Sequence, residues 1–266
     1  MLRYEDIARS ITARHLATPL ADATTAAPNE RGSTALRRLQ PHAFDQAPVM
    51  LADELLGWVA TTRLKANPTY SVRRSMQRLG PASYVSADAP VRTVVEALAG
   101  SGMVFVVTGR EVDGFVVAAD INKHAARTHF YLLVADLELA LVALLRRSYV
   151  HVAILLNRLS SKDRSDAKKR FDRDRELGSD VDQLAVLDFQ DLLTIVGRSP
   201  RVRRVFECRS EDDWSRLSEG MNRFRVAVMH PSSPFIGQWS IPNVLEMETR
   251  LRHMLAHAWG ALHGPV

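Results

Sequence analysis

The sequence predicts an α+β N-terminal part followed by an all-α helical bundle, and three observations support this division. Short apolar strands separated by polar turns occur twice in the first half of the 266 residues. Beyond about residue 124 the apolar residues recur at three- and four-residue spacing, as on one face of an amphipathic helix. Hydrophobic residues make up 46% and charged residues 24%, the balance of an ordinary folded protein. We expect two domains, residues 8–124 and 125–266.

Two passages in the first half are similar to each other and align without gaps. The first covers residues 48–64 and the second 105–121, so their starts lie 57 residues apart. Each predicts a strand, a polar turn, a second strand that begins at a glycine (Gly57 or Gly114), and a helix start. A spacing of one supersecondary unit indicates a duplicated module.

Each passage follows a lead-in of matching character, which extends the repeats to about residues 8–67 and 76–124. In the second lead-in a Ser/Asp/Pro start precedes Val94 and Leu98, which share one face of a capped amphipathic helix. In the first repeat the segment 21–38, rich in Ala, Thr, Pro and Gly, predicts a long surface loop.

With these features the first half resembles a pair of CBS domains, a tandem module that forms a pseudo-symmetric α+β sandwich. The resemblance implies an adenine-nucleotide effector bound between the repeats. In the family a threonine three residues after the glycine contacts phosphate, and an aspartate three residues later contacts ribose. The second repeat keeps the aspartate as Asp120 but has Val117 for the threonine, whereas the first repeat has Ala60 and Arg63.

Two interpretations of these ligand candidates stay open. Asp120 can bind ribose hydroxyls and Arg63 can pair with a phosphate, since a guanidinium suits that group. Alternatively, the pair is structural and binds no nucleotide, and Asp120 is an ordinary N-cap of the helix that follows it.

The second half predicts five helices. Apolar residues from Phe130 to Leu145 recur at helical spacing and end at Arg146 and Arg147, which indicates one long amphipathic helix. The charged segment 162–176 predicts an exposed helix or a mobile link. The remaining predicted helices cover about residues 150–159, 184–196, 211–229 and 242–261. Two helical hairpins and a closing helix would form a small bundle.

A basic connector precedes the fourth predicted helix. The chain carries a formal charge of +5 and has a pI of about 9.6. Part of the basic excess is concentrated in the arginines Arg198, Arg201, Arg203, Arg204 and Arg209. Such a surface would attract RNA electrostatically, and a solvated loop is the alternative.

The end of the fourth predicted helix contains the strongest candidate for chemistry. Arg225 and His230 stand five positions apart, and Pro231 follows. A guanidinium can hold charge on a phosphate and an imidazole can move a proton near neutral pH, which suits metal-free cleavage of a phosphodiester. Residues five apart on an ideal helix lie about 140° apart, but a proline biases the residue before it away from helical geometry.

This segment, with Val-Met-His-Pro-Ser-Ser-Pro after an Asn-Arg-Phe-Arg helix, resembles the Arg-x4-6-His motif of the HEPN superfamily, many of whose members are dimeric RNases. The resemblance implies that His230 transfers a proton to or from RNA and that Arg225 stabilises the transition state, without a metal cofactor. A two-fold dimer would supply a second histidine. Family members often carry a polar residue after the arginine, where this chain has Val226. Loss of catalysis, with Arg225 in an ion pair, is the alternative.

The last helix contains a second match of the same spacing, Arg252 and His257, which ranks behind the first. His253 follows this arginine and shares a helix face with His257 at i,i+4, so the two histidines could bind a metal. Because no cysteine and no nearby carboxylate pair accompanies them in the sequence, we expect two surface histidines and no metal site.

Several functional classes find no support in the sequence. Cys208 is the only cysteine, which excludes an internal disulfide and a cysteine-rich zinc site. There is no phosphate loop and no Gly-x-Ser-x-Gly elbow. The acidic residues Glu5 and Asp6 argue against a secretory signal, and no uninterrupted apolar run approaches the roughly 20 residues of a membrane span. These features predict a cytoplasmic protein.

Two functions remain open at the level of the whole chain. The first is a nucleotide-sensing regulatory protein whose helical domain is a metal-independent RNase, or an RNA-binding domain, working as a homodimer. The second is a non-catalytic regulatory or scaffold dimer whose helical domain only mediates assembly.

Overall fold

The computed structural model describes residues 4–178 and 182–264, and the chain divides into two compact units. One unit comprises Arg9–His129 and Pro234–Leu245 and mixes strands with short helices. The other comprises Met1–Ala8, Phe130–Ser233 and Glu246–Val266 and is helical within the described residues. An α+β part and a helical remainder are therefore present, as predicted. The segment Pro234–Leu245, which the sequence analysis placed in the helical domain, groups with the α+β unit.

The strands form two sheets, ordered β1-β7-β6-β5 and β2-β3-β4. Their bounds in the described part of the chain are β1 Thr18–Pro19, β2 Gln46–Leu51, β3 Glu54–Ala60, β4 Gln77–Arg78, β5 Tyr84–Ser86, β6 Met103–Thr108 and β7 Glu111–Val117. Within the sheets β5 and β6 are parallel, and the other neighbouring strands are antiparallel.

The hairpins β2–β3 and β6–β7 are built alike, which confirms the predicted pair of strand-turn-strand passages. Each has an irregularity in register at the same place, after Val49 and after Val106. Each tight turn has a left-handed residue, Ala52 (φ 50°) or Gly109 (φ 62°). The expectation that the second strands begin at the glycines was wrong. They begin three residues earlier, because the turns occupy only the two residues between the strands.

The two glycines instead make room for a short antiparallel strand that pairs with each hairpin, β4 at Gly57 and β1 at Gly114. Gly57 pairs with Arg78 of β4, and a Cβ on Gly57 would lie 2.1 Å from the carbonyl oxygen of Gln77. Gly114 pairs with Pro19 of β1, and a Cβ there would lie 2.5 Å from the carbonyl oxygen of Thr18. Only glycine permits this close backbone approach, and both repeats use it in the same way.

The helices that begin in the first hundred residues are short. They are α1 Tyr4–Arg9, α2 Ala13–Leu16, α3 Gly32–Leu39, α4 Thr61–Ala66, α5 Val72–Ser75 and α6 Val91–Gly100. Helix α6 buries Val94 and Leu98, as predicted. The predicted surface loop at 21–38 was wrong for residues 32–38, because α3 begins there and buries Ala35, Leu36 and Leu39 against β2 and β3 in the core of the first repeat.

The later helices follow the predicted order with shifted ends. They are α7 His124–Ser148, α8 Val152–Leu156, α9 Ser161–Glu176, α10 Phe189–Gly197, α11 Pro200–Arg203, α12 Glu211–Ser218, α13 Met221–Met229 and α14 Ile241–His263. The charged segment at 162–176 is a helix. The predicted single helix at 211–229 was wrong, since Gly220 adopts a left-handed conformation (φ 76°) and separates α12 from α13.

Helix α7 is a long, largely apolar helix of the second half. By length and hydropathy α7 could cross a membrane. The sequence analysis expected no such segment, because it considered only uninterrupted apolar runs. However, 67% of its most apolar stretch is buried inside the protein, which is typical of a core helix. Leu133, Leu137, Leu141 and Leu145 are fully buried along one face, so α7 serves as a central packing element of the helical unit.

Candidate functional site

A cavity of about 280 Å³ lies in the α+β unit and is lined by residues of both repeats. The first repeat contributes the loop around Asp22 and the segment Ala43–Gln46, and the second contributes β7 and the turn after it. The cavity therefore occupies the place where the CBS resemblance predicts an effector, and the candidate Asp120 is among its lining residues.

Asp120 makes several contacts inside the protein. Its Oδ2 accepts a hydrogen bond from the backbone N–H of Val117 at 2.8 Å, which caps the 3-10 helix Ala118–Asn122. Its Oδ1 accepts the hydroxyl of Thr18 at 3.3 Å and pairs with the Lys123 ammonium at 2.9 Å. The carboxylate thus caps the 3-10 helix that contains it, and Asp120 is not the N-cap of the following helix that the structural alternative expected. It also lines the cavity.

The cavity is acidic. Its charged lining residues are Asp22, Asp45 and Asp120, and no Lys, Arg or His is among the described lining residues. Three carboxylates disfavour a phosphate chain and favour a ligand that donates hydroxyl or amino hydrogens. The other candidate, Arg63, lies exposed on α4 and does not line this cavity.

Arg225 lies on α13 and forms an ion pair with α7. Its Nε donates to Oε1 of Glu138 at 2.5 Å, and both side chains are 28% exposed. Burial raises the pKa of Glu138, the positive charge of Arg225 opposes that rise, and Asp188 adds to it. The ion pair matches the non-catalytic interpretation of Arg225, although its remaining guanidinium nitrogens keep donor capacity.

His230 is the residue at which α13 ends. Its backbone N–H still donates to the carbonyl of Val226 at 3.1 Å, but its own φ and ψ are −99° and 89°, outside the helical region. The imidazole is exposed. The expected effect of Pro231 is confirmed, since the direction of the His230 side chain is not set by the helix.

The second match lies in the interior of α14. Arg252 pairs with Glu248 one turn earlier, at 2.8 Å, and the Glu248 side chain is completely buried. Nδ1 of His257 lies 2.9 Å from the backbone carbonyl of His253. Both residues of this pair are therefore bound within their own helix, in a different setting from Arg225 and His230.

The structure separates four of the five connector arginines into two pairs. Arg203 is only 13% exposed and donates to the carbonyls of Gly197 and Arg209, while Arg198 exchanges backbone-carbonyl hydrogen bonds with Arg158. Arg201 and Arg204 are exposed, and the described part of the chain shows no hydrogen bond or ion pair for their side chains. Only the second pair has the availability that phosphate contacts require.

A polar groove of about 710 Å³ in the helical unit was missed by the sequence analysis. It lies between α10, α12 and α13, and its lining residues include the following: Gln190, Thr194, Arg198, Trp214, Ser218, Asn222, Arg223 and Val226. Trp214 forms its apolar part and donates its indole N–H to the carbonyl of Leu193 at 2.8 Å. No sequence signal indicates this groove, because its residues come from three separate helices.

Comparisons with known proteins concern the first half of the chain. No protein-family model and no curated protein matches this chain. In structure, the chain is similar to a hemolysin-like CBS-domain protein of Oenococcus oeni PSU (13% identity, 43% of this chain and 90% of that one, TM-score 0.38). It is similar to the CBS domain of a bacterial CNNM/CorC-family Mg²⁺ transporter, solved with ATP (14%, 47% and 92%, 0.40). It is also similar to a CBS-domain protein of Shewanella oneidensis MR-1 (21%, 41% and 93%, 0.35).

Proposed function

We propose that this chain is a cytoplasmic regulatory protein whose N-terminal unit is a CBS pair that binds an adenine nucleoside or nucleotide. The observation that carries this proposal is the cavity lined by both repeats, with Asp120 at its edge. The symmetric use of Gly57 and Gly114 supports the duplication on which the CBS assignment rests.

The chemistry of the cavity favours the nucleoside portion of the ligand. The carboxylate of Asp120 can accept hydrogen bonds from ribose hydroxyls, as the family resemblance implies. Phe44, which is 44% exposed and lines the cavity, offers a face on which a purine ring can stack. Because Asp22 and Asp45 would repel phosphates, we expect adenosine or AMP to bind more tightly than ATP.

Two matched variants test the role of the Asp120 carboxylate. Asp120→Asn and Lys123→Met both remove the ion pair between these residues, but only the first removes the anionic acceptor. Calorimetric titration with adenosine, AMP and ATP should show weaker binding in Asp120→Asn by about tenfold, the loss of one charge-assisted hydrogen bond. Lys123→Met should bind at least as well as the wild type. Equal binding in both variants would leave Asp120 as a cap only, and no binding in the wild type would reject the sensing function.

We further propose that the helical unit acts on RNA as a homodimeric, HEPN-like domain. Arg201 and Arg204 provide exposed positive charge, and the groove beside α13 provides polar donors from Arg223 and Asn222. In the catalytic form of the proposal, the 2′-oxygen attacks phosphorus as His230 of one copy takes its proton, and the P–O5′ bond breaks as His230 of the other copy protonates the leaving 5′-oxygen. Arg225 keeps its Nε hydrogen bond to Glu138 and donates a second hydrogen bond, from another guanidinium nitrogen, to the phosphate.

RNA cleavage in EDTA tests this second proposal. We expect synthetic RNA to yield cyclic phosphate ends, with activity lost in His230→Ala and kept in His257→Ala, and changed by added adenine nucleosides if the two functions are coupled. Loss only in His257→Ala would move the site to α14. Cleavage that needed Mg²⁺ would reject the metal-free mechanism.

The competing candidate is a non-catalytic regulatory or scaffold dimer, and the Arg225–Glu138 ion pair favours it. It predicts no cleavage under any nucleotide and a dimer in solution by light scattering. RNA binding without cleavage, weakened in an Arg201→Ala/Arg204→Ala variant, would keep the RNA partner and reject the nuclease.

A further inference from the structure

Three potential metal ligands come together on the surface of the helical unit. His253 and His257 occupy successive turns of α14, and Glu207 follows the 3-10 helix Arg204–Phe206. One ligand atom from each residue lies within 4.8 Å of the other two. Sequence reasoning found the two histidines but not the carboxylate, because Glu207 is 46 positions from His253.

The hydrogen bond made by His257 points its metal-binding nitrogen at the carboxylate. Nδ1 of His257 lies 2.9 Å from the backbone carbonyl of His253, and a carbonyl only accepts, so Nδ1 carries the hydrogen. In the neutral ring the lone pair then resides on Nε2, which lies 3.7 Å from Oε1 of Glu207. A backbone carbonyl that orients the other ring nitrogen is the usual second-shell arrangement of a metal-bound histidine.

The spacing of the three side chains fits a small divalent ion. Ligand atoms about 2.0–2.2 Å from a tetrahedral Zn²⁺ lie roughly 3.3–3.6 Å apart. The 3.7 Å between Nε2 of His257 and Oε1 of Glu207 is close to this, and the rings of His253 and His257 have centroids 4.2 Å apart. The Glu207 side chain is 80% exposed, so a small rotation of its terminal carboxylate can close the remaining distance.

The backbone holds Glu207 in an uncommon conformation at this position. Its φ of 61° lies in the left-handed region, which residues other than glycine seldom adopt. Cys208 does not join the cluster, because its buried sulfur lies 3.4 Å from the carbonyl of Phe206 and burial raises the pKa of its thiol. The donor set is therefore two imidazoles and one carboxylate.

We propose that Glu207, His253 and His257 form a binding site for a first-row divalent transition-metal ion, with Zn²⁺ as the best match. Imidazole nitrogens select Zn²⁺, Cu²⁺, Ni²⁺ and Co²⁺ over Mg²⁺ and Ca²⁺, which prefer sets of oxygen ligands. Three protein ligands leave a fourth position open to water or to a small ligand. The ion would also link the 204–209 turn to α14.

The competing account of the same geometry needs no metal. A protonated His257 can form an ion pair with Glu207, while His253 is a neighbouring surface residue. The two accounts differ in their dependence on His253, since the ion pair does not need it and the metal site does.

The test uses the full-length protein without a histidine tag, freed of metal with a chelator and titrated with Zn²⁺ by calorimetry. We expect one ion per chain, a higher melting temperature with Zn²⁺, and tetrahedral Co²⁺ absorption bands when Co²⁺ is added instead. Loss of an outer-shell contact typically weakens metal binding by about 10–100-fold. Because His253→Ala, His257→Ala and Glu207→Gln each remove a direct ligand, each should weaken Zn²⁺ binding at least as much.

Matched controls come from the same helical unit. His263→Ala removes another histidine of α14, whose Nδ1 lies 3.1 Å from the carbonyl of Trp259, and Glu211→Gln removes another exposed carboxylate. Both should bind Zn²⁺ like the wild type, and circular dichroism should show that all five variants fold. Zn²⁺ binding that is equally weak in all six proteins, or that survives in His253→Ala, would overturn the proposal.

Discussion

The two Arg-x4-His segments have the same spacing but lie in opposite backbone settings. Arg225 and His230 are at the end of α13, where the helix stops and the imidazole lies exposed beyond it. Arg252 and His257 are in the interior of α14, where the helix sets the direction of both side chains. The arginines differ as well, because Arg225 pairs with Glu138 of another helix, and Arg252 with Glu248 of its own.

This difference shows that five-residue spacing does not define a site. A histidine beyond a helix end can approach a ligand independently of its arginine, whereas a histidine within a helix is directed by the helical repeat. In α14 that repeat aligns His257 with His253 instead of Arg252, which favours metal binding. We therefore assign the RNA-directed proposal to the first segment and the metal-directed proposal to the second.

The largest expected difference concerns the glutamates that hold the two arginines. Glu248→Ala should lower the free energy of unfolding by about 3–5 kcal/mol, because it removes one member of a pair whose carboxylate is completely buried. Glu138→Ala should lower it by only about 1 kcal/mol, since that pair is partly exposed. Urea denaturation of both variants measures the difference, and equal losses would contradict the contrast between the two settings.

The second prediction contrasts the arginines in RNA cleavage. If the first segment is the nuclease site, Arg225→Ala should lower kcat by about 10²–10³-fold, the loss of one transition-state donor. Arg252→Ala should leave kcat unchanged once its folded fraction is matched by circular dichroism. Cleavage of a short RNA under single-turnover conditions in EDTA distinguishes them. A larger effect from Arg252→Ala would exchange the roles of the segments.

The third prediction concerns the contribution of Glu138 to the pH dependence of the free energy of unfolding. Burial raises the pKa of Glu138 above its ordinary value of 4.5, so in the pH window just above 4.5 the folded protein keeps a proton that the unfolded chain has lost. The contribution of Glu138 to stability is then full below that window and falls as pH rises through the folded pKa. Burial also raises the pKa of Asp191, so the wild type must be compared with a variant that lacks only the Glu138 carboxylate.

Denaturation of the wild type and of Glu138→Gln between pH 4 and 8 measures this contribution. The stability of the wild type relative to the variant should decrease with rising pH, and the background from Asp191 cancels in the difference. A relative stability that increases with pH would mean that the attraction of Arg225 outweighs the burial of Glu138.

The smallest predicted effect concerns Val226, the residue after Arg225. Val226 is 41% exposed and lines the polar groove. The motif that this segment resembles often has a polar side chain at this position. Val226→Asn should change the free energy of unfolding by no more than about 0.5 kcal/mol and raise cleavage by about tenfold or less. The same cleavage assay measures this, with Val226→Thr as the shape-matched control. A loss of activity in Val226→Asn would contradict a catalytic use of this position.

Much of the α+β unit could be predicted from the sequence, because its features are local. The duplicated hairpins have strong strand and turn signals, and Gly57 and Gly114 mark equivalent positions. Residues 32–38 were misinterpreted as loop, since α3 buries only three apolar side chains, Ala35, Leu36 and Leu39, and these are recognisable as a buried face only against β2 and β3.

The candidate sites were predictable only in part. Asp120 became a candidate through the CBS resemblance, and Arg225 and His230 through their residue types and the motif they resemble. Their distant partners could not be predicted, because Thr18 and Glu138 are 102 and 87 positions from Asp120 and Arg225. The break at Gly220 was also missed, since glycine is tolerated within many helices, and here its left-handed conformation ends one.

By itself the sequence determined the fold class, the duplicated hairpins and the helical end at His230, because strand alternation, turn residues and proline act on neighbouring residues. Tertiary structure alone decided which distant groups meet: Thr18 at Asp120, Glu138 at Arg225, and Glu207 at His257. The physical reason is that hydrogen bonds and ion pairs act over a few ångströms in space. Only the packed chain brings residues that are far apart in sequence within that distance.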